Sequence, residues 1–391
     1  MGYGAPAHRT TGPSVDLALR DMNRPFSVYL DLVRFGAACL VYLYHSNMRL
    51  LVTDILPASQ YGHSAVIVFF VLSGFVIAYV TDTKEKAWID YTASRVSRVY
   101  SVVVPTLVLT LLLDAAGRAM YPSLYDYPFD RFAQRLVGSA LLLNEAWFVS
   151  ITYFSNVPYW SIAFEFWYYV LFGLVMFLPT GIRAWIAAGF GLVLGPKILL
   201  LLPVWRSGVL LYRWHWLQDR SKAFSWCLVV LSTVGIVITH RYGVYDLWSE
   251  RVQQLLGAER FRELTFARFF VGDYLLCLLV FCNFAGMRGV ADSFAPMLLR
   301  IERPVRFIAG YTFTLYLLHH PLFLFWTSVI RGNPDSHAFW WTVTLLTAIS
   351  VGIVGHFTES KRHHLRAAVK RLLQRLSLRW APRGTLPVPP A

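Results

Sequence analysis

The chain has 391 residues, of which 56% are hydrophobic, 16% aromatic and only 15% charged. A charged share this far below the roughly 25% of soluble domains excludes a disordered chain, a collagen and an ordinary soluble enzyme. The net charge is +14, but the basic residues fall mostly between apolar runs and in the tail, as in the cytoplasmic loops of a membrane protein, which argues against nucleic-acid binding.

Residues 1–25 are polar and carry Gly and Pro, and read as a cytoplasmic N-terminal segment. No cleavable signal peptide is expected, because the first apolar run already holds Asp31 and Arg34. Apolar segments follow at 27–50, 64–81, 99–116, 133–150, 158–178, 183–195, 197–213, 223–240, 267–286, 306–330 and 338–357. About 20 apolar residues cross a bilayer as a helix. Basic residues in the loops 82–98 and 287–305 and in the tail place those segments on the cytoplasmic side. That assignment needs an even number of spans. Segment 133–150 is the weakest, since Arg135, Asn144 and Glu145 interrupt it, and it is expected to lie on or dip into the outer interface. The expected fold is an all-α polytopic membrane helix bundle of about ten transmembrane spans with both termini cytoplasmic. Its membrane domain covers 26–357, and a basic tail covers 358–391. The junction at Gly195-Pro196 is the point at which one kinked span would change the count. The four cysteines lie in apolar stretches without zinc or disulfide spacing, and read as small hydrophobes.

Ionisable groups inside spans are expensive, roughly 2.5–3.5 kcal/mol each on insertion scales, so they mark function first. In the first span Asp31 and Arg34 are three apart and can pair. His45 lies eleven residues beyond Arg34, about 16 Å along a helix and on the same face. Ser73-Gly74 interrupts a bulky apolar helix, which suits close helix packing or a thin ligand. Arg95 and Arg98 sit one turn apart at a cytoplasmic mouth, able to grip phosphates through charge-assisted hydrogen bonds. Ser161 and Glu165 share a face of an aromatic span, with Glu165 expected in the outer half at the depth of His45. Tyr316 and His319 share a side of a late span, ahead of Pro321. The adjacent His319 and His320 face different ways and no carboxylate completes a ligand set, so no metal is expected. Each motif alone also fits a structural role: a snorkelling cation, helix packing, or charge bias.

Together, and in this order, the motifs resemble the membrane acyltransferase family 3. The family's Asp-x-x-Arg and later His match Asp31, Arg34 and His45. Its Phe-Phe-x-x-Ser-Gly-Phe segment matches Phe69, Phe70, Ser73, Gly74 and Phe75, and its Arg-x-x-Arg matches Arg95 and Arg98. Its Trp-Ser-x-x-x-Glu matches Trp160, Ser161 and Glu165, and its late Tyr-x-x-His matches Tyr316 and His319. The resemblance spans about 26–357. The chain departs from the family where an acidic residue often precedes the Phe-Phe element, since here it reads HSAVIVFF. It resembles the stand-alone members linked to exopolysaccharide modification.

The resemblance implies an O-acyltransferase in a bacterial inner membrane. The implied donor is acyl-CoA, specifically acetyl-CoA, and the implied acceptor is a saccharide hydroxyl, free or lipid-linked. His45 is then the general base and Glu165 its orienting carboxylate. Ser161, Tyr316 and His319 are candidate oxyanion donors, and direct transfer and a covalent acyl-histidine both stay open. Arg34, Arg95 and Arg98 would hold the donor's phosphates, with Asp31 beside Arg34 and Ser73 along the path of its arm. Membrane lipid is the expected surrounding, nucleic acid is not a partner, and either a monomer or an oligomer is compatible. The rival reading is a multi-span transporter or lipid-linked sugar flippase, which also places charges in spans but would show repeats.

Overall fold

The computed structural model describes residues 22–51, 56–214 and 220–380. Most of the N-terminal segment and the Pro-rich end of the tail therefore lie outside the described residues. Among the described residues there is no strand beyond one isolated bridge, Tyr153 with Asn156. Bilayer hydrocarbon offers no hydrogen bonds, so apolar runs of this length satisfy their backbone internally as helices.

Among the described residues, eight helices are long and apolar enough to cross a membrane. They are α1 (Arg24–Asn47), α2 (Gly62–Thr83), α3 (Trp88–Met120), α5 (Trp160–Phe177), α8 (Lys222–Arg241), α11 (Phe270–Val290), α14 (Thr312–Ile330) and α15 (His337–Thr358). Two further helices, α6 (Thr180–Leu194) and α7 (Pro196–Arg213), complete ten passages among the described residues. Gly195 sits between them at φ +90°, a left-handed conformation suited to glycine, and a Cβ there would lie 2.5 Å from the Cα of Trp147. α6 and α7 are therefore separate arms. At one end Trp147 N donates to Leu194 O at 2.9 Å and Lys197 Nζ to Val149 O at 2.7 Å. At the other end Arg213 meets Met176 Sδ at 3.0 Å and Arg288 donates to Leu211 O at 3.1 Å. Ten passages return both ends of the bundle to one face. There the start of α1 meets α12 (Ala295–Arg300) and pairs with α13 (Glu302–Ala309) through Arg24 and Glu302. The basic helix α16 (Arg362–Trp380) lies on the start of α3 at the same face, with Lys370 2.5 Å from Asp90.

Segment 133–150 does not cross. It forms one nine-residue helix, α4 (Phe132–Ala140), followed by an irregular stretch that folds into the bundle. In that stretch Tyr153, Phe154, Ser155 and Asn156 are buried. Arg135 ties it down by bonding Asp130 and Thr152 O, while Glu145 pairs with Lys197 at 2.7 Å, both fully buried. The expectation that this segment is not a full span is met. Three boundaries differ from expectation. α3 begins at Trp88, so Arg95 and Arg98 are helical rather than in a loop. The 306–330 run is broken at Gly310-Tyr311, between α13 and α14. Two helices not anticipated, α9 (Val244–Leu256) and α10 (Ala258–Glu263), cover the outer end of α11. They are anchored by Tyr245, whose hydroxyl donates to Asp273.

The core sits where α2, α5 and α7 meet, around Phe70, Phe164, Tyr168 and Trp205. Gly74 and Gly208 permit backbone contact between α2 and α7. A Cβ on Gly74 would lie 2.0 Å from Trp205 O, and one on Gly208 would lie 1.9 Å from Val71 O. Gly74 thus packs helices, while its neighbour Ser73 lines a cavity.

Candidate active site

Pro321 removes the N–H that would bond Leu317 O within α14. Asn156, from the inserted stretch, supplies the replacement through Nδ2 at 2.8 Å. This stitch fixes the middle of α14, where Tyr316, His319 and His320 lie, against the start of α5. Ser161 Oγ and Tyr316 OH are 2.6 Å apart across that seam.

Two cavities stack along the helix axes. The inner one, of about 530 Å³, opens beside the starts of α1 and α3 and the end of α15. Arg34, Arg95, Arg98, Arg306 and Arg362 line it, against Asp31, Glu165 and Glu359, so the lining carries five cationic and three acidic side chains. The outer one, of about 650 Å³, lies among His45, Tyr44, Arg49, His63, Tyr127 and His320. Val66 and Tyr316 line both and form the partition between them.

In the inner cavity Arg34 pairs with Asp31 at 2.7 Å, as the three-residue spacing predicts, and Arg306 shares the same carboxylate at 3.1 Å. Arg95 is held by Glu85 at 2.5 Å, a buried ion pair, and lies over the rings of Tyr91 and Tyr169. Arg98 lies beside Tyr169 and Glu165. Both line the cavity but they differ: Arg95 is locked to a carboxylate, whereas Arg98 lies against Tyr169 and Glu165. Ser73 Oγ donates to Glu165 Oε1 at 2.7 Å, Tyr169 OH donates to the same oxygen, and Trp205 Nε1 donates to Ser73 Oγ at 3.2 Å.

His45 is placed differently. Its Nδ1 is 3.0 Å from Val41 O and 3.1 Å from His319 Nε2. The pairing of His45 with Glu165 expected from equal depth is not among the hydrogen bonds of the described residues. Equal depth requires both helices to start at one plane, whereas α5 begins below the buried stretch 153–156, so Glu165 lies one cavity further in.

The tautomers follow from the contacts. His319 Nδ1 faces two carbonyls, Tyr316 O at 2.8 Å and Leu315 O at 3.1 Å, so it carries the proton. Its Nε2 is then an acceptor, which makes His45 Nδ1 the donor and leaves His45 Nε2 as a lone pair. His320 is a residue that sequence reasoning misses: its ring centroid lies 5.4 Å from that of His45 and its Nε2 is 3.3 Å from Tyr127 OH. The adjacent histidines do face different ways, but His45 fits into the angle between them. Also missed were Glu85, which holds Arg95, and the His63–Asp273 pair at 2.9 Å on the outer cavity. Glu85 follows an apolar run and Asp273 lies inside one, a signal available in the sequence. No group of three His, Cys, Asp or Glu side chains among the described residues is arranged to hold a metal ion.

Eight helices long and apolar enough to span among the described residues, enclosing an arginine-rich inner cavity and a histidine-lined outer one, make this an integral membrane protein. No curated protein and no solved structure matches the chain. The family model described as an acyltransferase domain matches residues 27–356, nearly the whole bundle, and the chain belongs to the acyltransferase 3 family of membrane transferases.

Proposed function

We propose that the protein transfers an acyl group, acetyl in the simplest case, from acyl-CoA entering the inner cavity to a saccharide hydroxyl entering the outer one. The observation that carries this reading is the shared partition. Tyr316 lines both cavities, is bonded to Ser161, and stands one helical turn from the His319 that contacts His45. Acyl-CoA is made in the cytoplasm and carries phosphates, which suits five arginines at that mouth. A bacterial inner membrane, with exported or cell-surface saccharide on its far side, is the matching location.

In the proposed reaction the acceptor O–H gives its proton to His45 Nε2 as its oxygen bonds to the thioester carbon. The imidazolium keeps two acceptors at Nδ1–H, Val41 O and His319 Nε2. The former carbonyl oxygen takes negative charge, and the Tyr316 or Ser161 hydroxyl is the donor nearest the partition. The C–S bond then breaks, the thiolate recovers the proton from His45, and CoA and the O-acyl saccharide leave by opposite mouths. Glu165 does not orient His45 in this scheme. It holds Ser73 and Tyr169 and balances Arg98 along the donor's path.

The test is transfer of label from [14C]acetyl-CoA to a saccharide acceptor by purified protein, compared with His45→Ala. Full transfer by a folded His45→Ala protein would overturn the mechanism. Label transfer that needs no acceptor would point to a covalent acyl-enzyme instead.

A further inference from the structure

Resting on the reading of the outer cavity as the acceptor's entrance, we infer that the acceptor carries negative charge, a carboxylate or phosphate on the saccharide, and that Arg268 with Arg262 binds it.

The argument begins with charge placement. Loop arginines are expected on the inner face of a membrane protein, so those at the outer face need a reason. Several cations there have a partner in the chain. Arg49 pairs with Asp126 at 2.7 Å, and Arg135 with Asp130 at 2.7 Å. Lys197 pairs with Glu145. Arg118 donates to the carbonyls of Tyr125 and Tyr127. Arg262 and Arg268 both line the outer cavity, and neither has an ion pair among the described residues. Arg262 is exposed at the rim. Arg268 is deeper, and its Nε is buried without a hydrogen-bond partner. Its guanidinium lies 4.7 Å over the Phe269 ring and 5.5 Å over Phe261, which fixes its plane. A guanidinium held by aromatic faces keeps its N–H fork available, the geometry that receives a carboxylate or phosphate by two parallel bonds.

The neighbouring surface suits a sugar. Trp160 and Phe266, both in the cavity wall, stack 4.5 Å apart at 2° to each other. The paired rings cover each other's facing sides and Trp160 is buried, so it is the part-exposed Phe266 that offers aromatic surface to the apolar side of a sugar ring. The donor's phosphates do not explain the outer arginines, because the inner cavity has its own five and the partition separates the two.

The test uses the full-length protein in lipid nanodiscs and three probes. These are a glucuronic-acid-containing tetrasaccharide, its carboxyl-reduced counterpart, and the reduced form bearing a phosphate monoester. Binding is measured by calorimetry at low and high salt, without turnover. A charged probe is expected to bind roughly 10- to 100-fold more tightly than the reduced one, with the gap narrowing in salt. Arg268→Gln should collapse the gap, Arg268→Lys should keep part of it, and Arg262→Gln at the exposed rim should narrow it without touching the core. A carboxylate preference assigns a uronate, and a phosphate preference assigns a phosphorylated or lipid-phosphate-linked sugar. Equal binding of the reduced probe, no binding by any probe, or a gap that survives both substitutions overturns the inference. Acetyl transfer is followed in parallel. A charged probe that binds but receives no acetyl from acetyl-CoA would defeat the transfer reaction and leave the anion site standing.

Discussion

If His319 sets the tautomer of His45, removing its acceptor nitrogen should slow transfer without removing the base. His319→Leu tests this. In the protein His45 Nδ1–H has two acceptors, Val41 O at 3.0 Å and His319 Nε2 at 3.1 Å. Leucine leaves only the carbonyl, and the cationic His45 formed in the reaction loses one charge-assisted bond. Such a bond is worth about 1.5–3 kcal/mol, which corresponds to roughly a 10- to 150-fold loss in kcat. The low end is expected, since Val41 O remains. His319→Gln retains an amide that can accept, and should recover part of the loss. His45→Gln removes the base itself and should cost about 10²- to 10⁴-fold. The assay is release of free CoA and labelled product at saturating donor, with a thermal melt confirming that each variant is folded. His319 is fully buried, so the melt matters. A folded His319→Leu protein with the parent's kcat would refute the tautomer argument and leave His45 positioned by its own helix alone.

Other outcomes follow from the same contacts. Arg98→Ala should raise KM for acyl-CoA several-fold with little effect on the melting temperature, whereas Arg95→Ala should lower the melting temperature, because it strands buried Glu85; steady-state kinetics beside thermal unfolding separates the two. Lys197→Met leaves Glu145 buried and unpaired and should destabilise by about 3–5 kcal/mol, while Lys197→Met with Glu145→Leu should recover much of that, as read by denaturation. Gly208→Val places a side chain into the Val71 carbonyl, 1.9 Å from where its Cβ would sit, and should abolish folded protein on size-exclusion chromatography.

Much of the bundle is legible in the sequence because bilayer length and apolar composition leave few alternatives. The runs at 64–81, 223–240 and 338–357 appear as helices with ends within about two residues of those expected, within the ordinary scatter of helix boundaries. Parity of the basic loops correctly demotes 133–150. What hydropathy does not register is amphipathic structure at the membrane's edge. The α9–α10 segment is polar enough to pass for a loop, and it becomes helical because Tyr245 and Val252 pack inward on the outer end of α11. Similarly, the polar start of α3 has no apolar signal, yet it continues as helix to carry Arg95 and Arg98 and is supported on its flank by α16.

For the site, spacing along one helix is reliable and depth between helices is not. Asp31 and Arg34 pair as their spacing requires, and Ser161 faces Tyr316. Glu165 and His45 belong to different helices, and comparing their depth assumes that both helices begin at the same plane. The buried stretch Tyr153–Asn156 breaks that assumption by carrying the chain inward before α5 starts. The same stretch gives Asn156 to the carbonyl freed by Pro321, so the displacement of Glu165 and the placement of His319 have one cause. This makes Asn156→Leu a discriminating perturbation. It strands Leu317 O, at about 1–3 kcal/mol for a buried polar group without a partner. Pro321→Ala supplies an N–H to that same oxygen, so the double variant should lose less stability than the sum of the two. Additive losses in thermal unfolding would show that the stitch does not hold α14, and with it the account of why the imidazoles meet where they do would fail.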